Sequence, residues 1–98
     1  MNPTTDHCRQ LLRERLPRLK EQWKVASLEI FGSRIRDDAR PDSDLDILVS
    51  FQRPIGLFTL VELEQYLSDL LGLKVDLVLR DALKPRIGRR ILAEAIPV

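Results

Sequence analysis

Apolar residues recur along the first half of this chain with two different spacings. Between about Asp6 and Lys24, leucines recur with helical spacing among charged residues, which predicts an amphipathic helix. Pro17 interrupts that pattern, so we expect a kink there or two abutting helices. Two short apolar runs follow, from about Val25 to Phe31 and from about Leu45 to Phe51, and both predict strands.

The second half alternates between the same two kinds of element. A helix is predicted from about Thr59 to Leu71, because Thr59 and Glu62 have capping-box spacing and Gly72 suits a left-handed cap at its end. A third strand, Lys74–Leu79, is apolar enough to be a central strand of a sheet. A last helix is predicted from about Pro85 to Ile96. The pattern as a whole indicates an α/β domain with three strands and three or four helices.

Length and composition narrow the class of protein. The chain has 98 residues, of which 44% are hydrophobic and 32% charged, and this predicts one globular domain over residues 1–98. A formal net charge of +1 is not the large positive charge that is typical of nucleic-acid-binding domains, so direct nucleic-acid binding is not expected. Cys8 has no partner for an internal disulfide, which fits a reducing cytoplasm. No apolar run approaches the roughly 18 residues that span a bilayer, and the N-terminus lacks the pattern of a signal peptide, so a cytoplasmic protein without a membrane partner is expected.

Candidate chemistry lies at the ends of the first two predicted strands. Asp44 and Asp46 are two residues apart at the start of the second strand, so their side chains point to the same face. Adjacent carboxylates on a strand are suitable ligands for a hard divalent cation such as Mg²⁺. Gly32 and Ser33 follow the first strand, where a turn can offer backbone N–H groups and a hydroxyl to phosphate oxygens. Together these features suggest nucleotidyl transfer.

Each of these residues also has a plain structural alternative. Asp44 and Asp46 alone could be a solvated strand end, and Ser33 could cap a turn. Asp76 lies within an apolar strand, where it could form a salt bridge to a lysine or arginine instead of binding a metal ion. The loop between the first two strands contains three arginines: Arg34, Arg36 and Arg40. Their side chains could be solvated, or together they could attract a triphosphate.

The segment from Phe31 to Asp46, FGSRIRDDARPDSDLD, closely resembles the signature of the minimal nucleotidyltransferases (the MNT family). That family belongs to the DNA polymerase beta-like nucleotidyltransferase superfamily. The resemblance continues through residues 56–58, 75–78 and 82–86, and so covers most of the chain from about residue 25 onward. One departure is Asp37, where relatives often carry glycine.

The resemblance implies a fold and a site. The fold is α/β (α+β), with a small mixed sheet of three or more strands flanked by helices. Two Mg²⁺ ions would be held by three carboxylates, which are also the catalytic residues: Asp44, Asp46 and Asp76. ATP would be the substrate, bound through its triphosphate by four residues that follow the first strand: Gly32, Ser33, Arg34 and Arg36.

The resemblance also implies a biological role. Many MNT proteins are antitoxins encoded beside a HEPN-domain toxin, a helical ribonuclease, and some transfer AMP from ATP onto a tyrosine of that toxin. This chain is therefore expected to be a protein adenylyltransferase with a cognate HEPN toxin as partner. Two alternatives stay open. A non-catalytic antitoxin would bind and occlude its toxin, and an antibiotic-modifying adenylyltransferase would need a second wall to enclose its small acceptor.

Overall fold

A computed structural model of the chain describes residues 4–32 and 44–98. Within these ranges the chain forms three α-helices, four strands and one 3₁₀ turn. The helices are α1 (Thr5–Gln22), α2 (Leu57–Leu71) and α3 (Pro85–Glu94). The strands are β1 (Val25–Phe31), β2 (Leu45–Phe51), β3 (Val75–Leu79) and β4 (Ile96–Pro97), and the 3₁₀ turn is Arg80–Ala82.

The strands form one mixed sheet in the order β3-β2-β1-β4. β1 is antiparallel to both of its neighbours, while β2 and β3 are parallel. The parallel pair requires a crossover connection, and α2 supplies it. This architecture confirms the expected mixed sheet flanked by helices.

The hydrophobic core lies between one face of the sheet and the helices α1 and α2. Alternate residues of β1, β2 and β3 point into it, as the two-residue period of a strand requires. The helices contribute fully or almost fully buried side chains at helical spacing: Cys8, Leu12 and Leu19 from α1, and Leu63, Leu67 and Leu71 from α2. The opposite face of the sheet therefore carries the remaining strand residues, including Asp46 and Asp76.

Several predicted boundaries are confirmed. β1 and β2 begin and end at the predicted residues. Gly72 has φ 71°, and its N–H donates to the Ser68 carbonyl at 2.9 Å, as expected of a left-handed cap at the end of α2. No helix in the described ranges is long and apolar enough to cross a membrane.

Other predictions need correction. α1 is one continuous helix with Pro17 inside it, and not two abutting helices, because residues on both sides of the proline pack into the same core. α2 begins at Leu57 after Gly56, so Thr59 is not its cap; an N-cap glycine is also well tolerated. α3 ends at Glu94, since Ile96 and Pro97 pair with β1 instead.

The third strand is also placed differently from the prediction. β3 lies at the edge of the described sheet and has only β2 as a strand neighbour. Its apolar composition reflects burial of one face, because Val75 and Leu77 are buried while Asp76 between them is exposed. The strand therefore alternates like a half-exposed strand and is not buried on both faces.

Truncation to alanine should affect stability very differently at two positions of α2. Leu67→Ala should lower the free energy of unfolding by about 2–5 kcal/mol, because Leu67 is fully buried and its removal leaves a cavity. Val61→Ala is the control, since Val61 is exposed and should change stability by less than about 0.5 kcal/mol. Urea denaturation followed by circular dichroism measures both, and equal effects would contradict this core.

Candidate active site

Two acidic residues are direct neighbours across the parallel strands. Asp46 of β2 pairs in register with Asp76 of β3. Neighbouring strands lie about 4.8 Å apart, and paired residues point to the same face. Their flanking residues Leu45 and Val75 are buried in the core, so both carboxylates lie on the opposite face. Asp46 is half-buried and Asp76 is exposed, so the pair is open to solvent.

Asp44 lies immediately before the start of β2. Together with Asp46 and Asp76 it forms a group of three acidic residues that we call the acidic row. It precedes Asp46 by two residues and is half-buried. Its Oδ2 lies 3.7 Å from Nζ of Lys74, the residue immediately before β3. The lysine side chain is 78% exposed, so this ion pair is weak and can exchange for another cation at little cost. Sequence reasoning did not identify Lys74, because nothing local connects it to Asp44.

The end of β1 lies directly against the acidic row. Phe31 pairs with Asp46 on the side opposite to Asp76, and Gly32 follows it with φ +88°. A Cβ built on Gly32 would overlap Oδ2 of Asp46 and would lie 3.0 Å from its Cγ. Only glycine therefore allows this backbone to approach the carboxylate so closely. The structure therefore places Gly32 directly against Asp46.

The same face of the sheet carries one further acidic residue. Glu29 of β1 is two residues from Phe31, and its Oε1 lies 3.6 Å from Nη1 of Arg80. The Glu29 side chain is largely buried, with 17% of its surface exposed. The arginine neutralises Glu29 where it would otherwise add to the negative charge near Asp46. Neither residue was predicted from the sequence.

The remaining predicted site residues fall outside the described ranges. Ser33, Arg34 and Arg36 all lie between residues 33 and 43, so their roles in binding a nucleotide stay predictions. Asp76 is described, and it forms no ion pair with any residue of the described ranges, so the salt-bridge alternative has no support there. Its exposure also removes the cost of burying an unpaired carboxylate.

The donor set fits a hard divalent cation. Three carboxylates from adjacent backbone positions supply only oxygen ligands, which Mg²⁺ prefers, and they leave positions open for water and phosphate. In the described part of the chain, no group of three acidic, cysteine or histidine side chains lies close enough together to hold a metal ion. The backbone register does place Asp46 beside Asp76 on the same face of the sheet.

A separate cleft of about 440 Å³ lies at the other end of β2 and β3. It is lined by residues that include Phe51, Arg53, Leu79 and Asp81. Phe51 is five residues along β2 from Asp46, or about 16 Å at the rise of an extended strand. The cleft is therefore distinct from the acidic row.

Comparisons with known proteins identify the family to which this chain belongs. Residues 12–98 match the nucleotidyltransferase domain family, and the chain belongs to that family. It is a nucleotidyltransferase, and the resemblance to the minimal nucleotidyltransferases is confirmed.

Individual relatives give more detail. The chain is 40% identical over 95 residues to the protein adenylyltransferase MntA of Thermococcus cleftensis, covering 97% of this chain and 96% of the relative. It is 46% identical over 94 residues to MJ1217 of Methanocaldococcus jannaschii, provisionally named a protein adenylyltransferase, covering 95% and 96% of the two chains.

Solved structures show the same fold. One, provisionally described as a minimal nucleotidyltransferase, superposes with a TM-score of 0.76 at 38% identity and covers 91% of both chains. A toxin–antitoxin structure with AMP-PNP superposes with a TM-score of 0.68 at 25% identity, covering 90% of this chain and 66% of that one.

The contact between Gly32 and Asp46 yields a stability prediction with an internal control. Gly32→Ala should lower the free energy of unfolding more than Gly72→Ala. Both positions have positive φ and carry the cost of a left-handed alanine, about 1–2 kcal/mol. Only Gly32 adds overlap with Asp46, because a Cβ at Gly72 meets nothing within 4 Å. Urea denaturation measures the costs, and NMR should show a shifted Asp46 amide in Gly32→Ala alone. Equal costs with an unchanged Asp46 signal would contradict the close approach.

Proposed function

We propose that this protein is a Mg²⁺-dependent adenylyltransferase that moves AMP from ATP onto a tyrosine hydroxyl of a cognate HEPN-type toxin and thereby neutralises it. The observation that carries the proposal is the in-register pairing of Asp46 with Asp76, with Asp44 on the same face and Gly32 against Asp46. Membership of the nucleotidyltransferase family and relatives named protein adenylyltransferases support the type of reaction.

Electrostatics favour a cation at this row. Two carboxylates 4 Å apart repel by about 1–4 kcal/mol, depending on the local dielectric. The weak ion pair with Lys74 offsets part of this repulsion at Asp44. Asp44, Asp46 and Asp76 would hold two Mg²⁺ ions, which supply charge neutralisation for the phosphates during an in-line displacement.

The residues of the chain have distinct roles in the proposed reaction. The acceptor oxygen forms a bond to the α-phosphorus, the bond from that phosphorus to the bridging oxygen breaks, and pyrophosphate leaves. Asp76 is the most exposed of the three acids, so it faces the incoming acceptor and accepts the hydroxyl proton. Ser33 and the N–H groups of the glycine turn hold the outer phosphates, and Arg34 and Arg36 attract the triphosphate.

A protein acceptor suits the surface of this molecule. Asp76 is exposed, so a partner can reach it without entering a closed pocket. Exposed apolar groups mark protein interfaces when they cluster. Five large apolar side chains are exposed on α2 and α3: Leu57, Phe58, Val61, Ile87 and Leu92. The similarity to a solved toxin–antitoxin structure also supports a toxin as the partner.

AMP transfer is tested directly with the purified protein and any HEPN-type protein that is encoded beside it. Incubation with Mg²⁺ and ATP labelled at the α-phosphate should add one or more AMP groups to toxin tyrosines and abolish toxin ribonuclease activity. Asp44→Asn with Asp46→Asn should reduce transfer by several orders of magnitude, because the metal ligands are lost while the side-chain volume is kept. Mass spectrometry locates the label.

Asp81→Asn is the matched control, since it makes the same chemical change at the far end of the sheet and should leave transfer unchanged. If the Asp44→Asn/Asp46→Asn variant neutralises the toxin as well as the wild type does, occlusion is the mechanism and the proposed role of catalysis is wrong.

A further inference from the structure

The outer edge of β3 is held by two side chains of α2. An edge strand leaves backbone N–H groups without a strand partner. Here the Val75 N–H donates to Ser68 Oγ at 3.0 Å, and the Leu77 N–H donates to Glu64 Oε2 at 2.9 Å. Two of the outward N–H groups of the strand are thus satisfied by the helix that precedes it.

The spacing of the two contacts is matched between helix and strand. Glu64 and Ser68 are four residues apart on α2, which is about 6 Å along a helix axis. Val75 and Leu77 are two residues apart on β3, which is about 6.6 Å along a strand. One helical turn therefore presents two acceptors to two consecutive outward donors.

One of the two acceptors, Ser68, is itself held by a further hydrogen bond. Ser68 Oγ donates to the Glu64 carbonyl oxygen at 2.8 Å, so its hydroxyl both donates and accepts. This backbone contact within the helix leaves the oxygen lone pairs directed towards β3. The bond from Leu77 to Glu64 has a carboxylate acceptor, which makes it stronger than a bond between neutral groups.

The residue between the two donors is Asp76. Its own pairing partner, on the inner side of the strand, is Asp46. We infer that Glu64 and Ser68 are positioning residues, which hold β3 so that the Asp76 carboxylate stays in register with Asp46 for metal binding. This inference rests on the proposed function, because it assigns the role of supporting residues to the same metal site.

The plain alternative is that Glu64 and Ser68 only protect the sheet edge from pairing with other chains. The alternatives differ in one respect. Protection of an edge requires the hydrogen bonds but has no consequence for metal affinity, whereas loss of a supporting contact to a metal ligand typically weakens metal affinity or activity by about 10–100-fold.

The first measurement tests the hydrogen bonds themselves and needs no activity. Amide hydrogen exchange followed by NMR should show Leu77 and Val75 protected in the wild type. Glu64→Ala should raise exchange selectively at Leu77, and Ser68→Ala should raise it selectively at Val75. Glu64→Gln keeps an acceptor oxygen and should retain protection of Leu77. Rapid exchange of both amides in the wild type would overturn the inference.

The second measurement tests the role in metal binding. Calorimetric titration with Mn²⁺ and a non-hydrolysable ATP analogue should show metal binding about 10–100-fold weaker in Glu64→Ala than in the wild type. Glu64→Gln should restore most of the affinity. Glu62→Ala removes an exposed acidic residue of the same helix and should leave affinity unchanged. If Glu64→Ala unfolds, Ser68→Ala against the wild type provides the same comparison, with the same expected loss of affinity.

Transfer assays then separate failure of the inference from failure of the proposed function. Glu64→Ala should lower kcat for AMP transfer by about 10–100-fold with little change in KM for the acceptor. Wild-type metal affinity and kcat in Glu64→Ala, with Leu77 exchanging freely, would show that the contact only protects the edge. A wild type that binds Mn²⁺ as predicted but transfers no AMP would instead overturn the proposed function.

Discussion

The parallel pairing of β2 with β3 is the constraint on which the candidate site depends. Its register places Asp46 beside Asp76, although thirty positions separate them in the sequence. A shift by one residue would move Asp76 to the core face and bring a core residue out to solvent, because side chains alternate along a strand. The buried neighbours Val75 and Leu77 therefore stabilise the register. Because their apolar side chains are buried on one face of the sheet, the Asp76 side chain is held on the opposite face.

The surrounding structure supports this register from three sides. α1 and α2 pack on one face of the sheet, and so leave the acidic face to the strands. β1 brings Gly32 against Asp46, which only a residue without a Cβ permits. The side chains of α2 bond to the outer edge of β3, and those of α1 do the same at the opposite side of the sheet: Arg9 donates to the Pro97 carbonyl and Arg13 to the Val98 carbonyl. Helix side chains thus form hydrogen bonds at both edges of the sheet.

Local patterns predicted the parts of the fold that local physics controls. The bounds of β1 and β2 follow from short apolar runs, and Gly72 follows from the need for a left-handed cap. Tertiary pairing is not encoded in such patterns. The edge position of β3, the contact of Lys74 with Asp44 and the contacts of Glu64 and Ser68 all depend on which strands become neighbours. β4 has two residues, too few for any periodicity to appear.

The proposed reaction requires that the acidic row bind a metal–nucleotide complex. Paramagnetic broadening by substoichiometric Mn²⁺, with a non-hydrolysable ATP analogue, tests it most directly, because the broadening of amide NMR signals falls steeply with distance from the ion. We expect the strongest broadening at Gly32, Asp46 and Asp76, and much weaker broadening at the far end of the sheet. Strongest broadening at the cleft around Arg53 and Asp81, or uniform broadening of all signals, would contradict it.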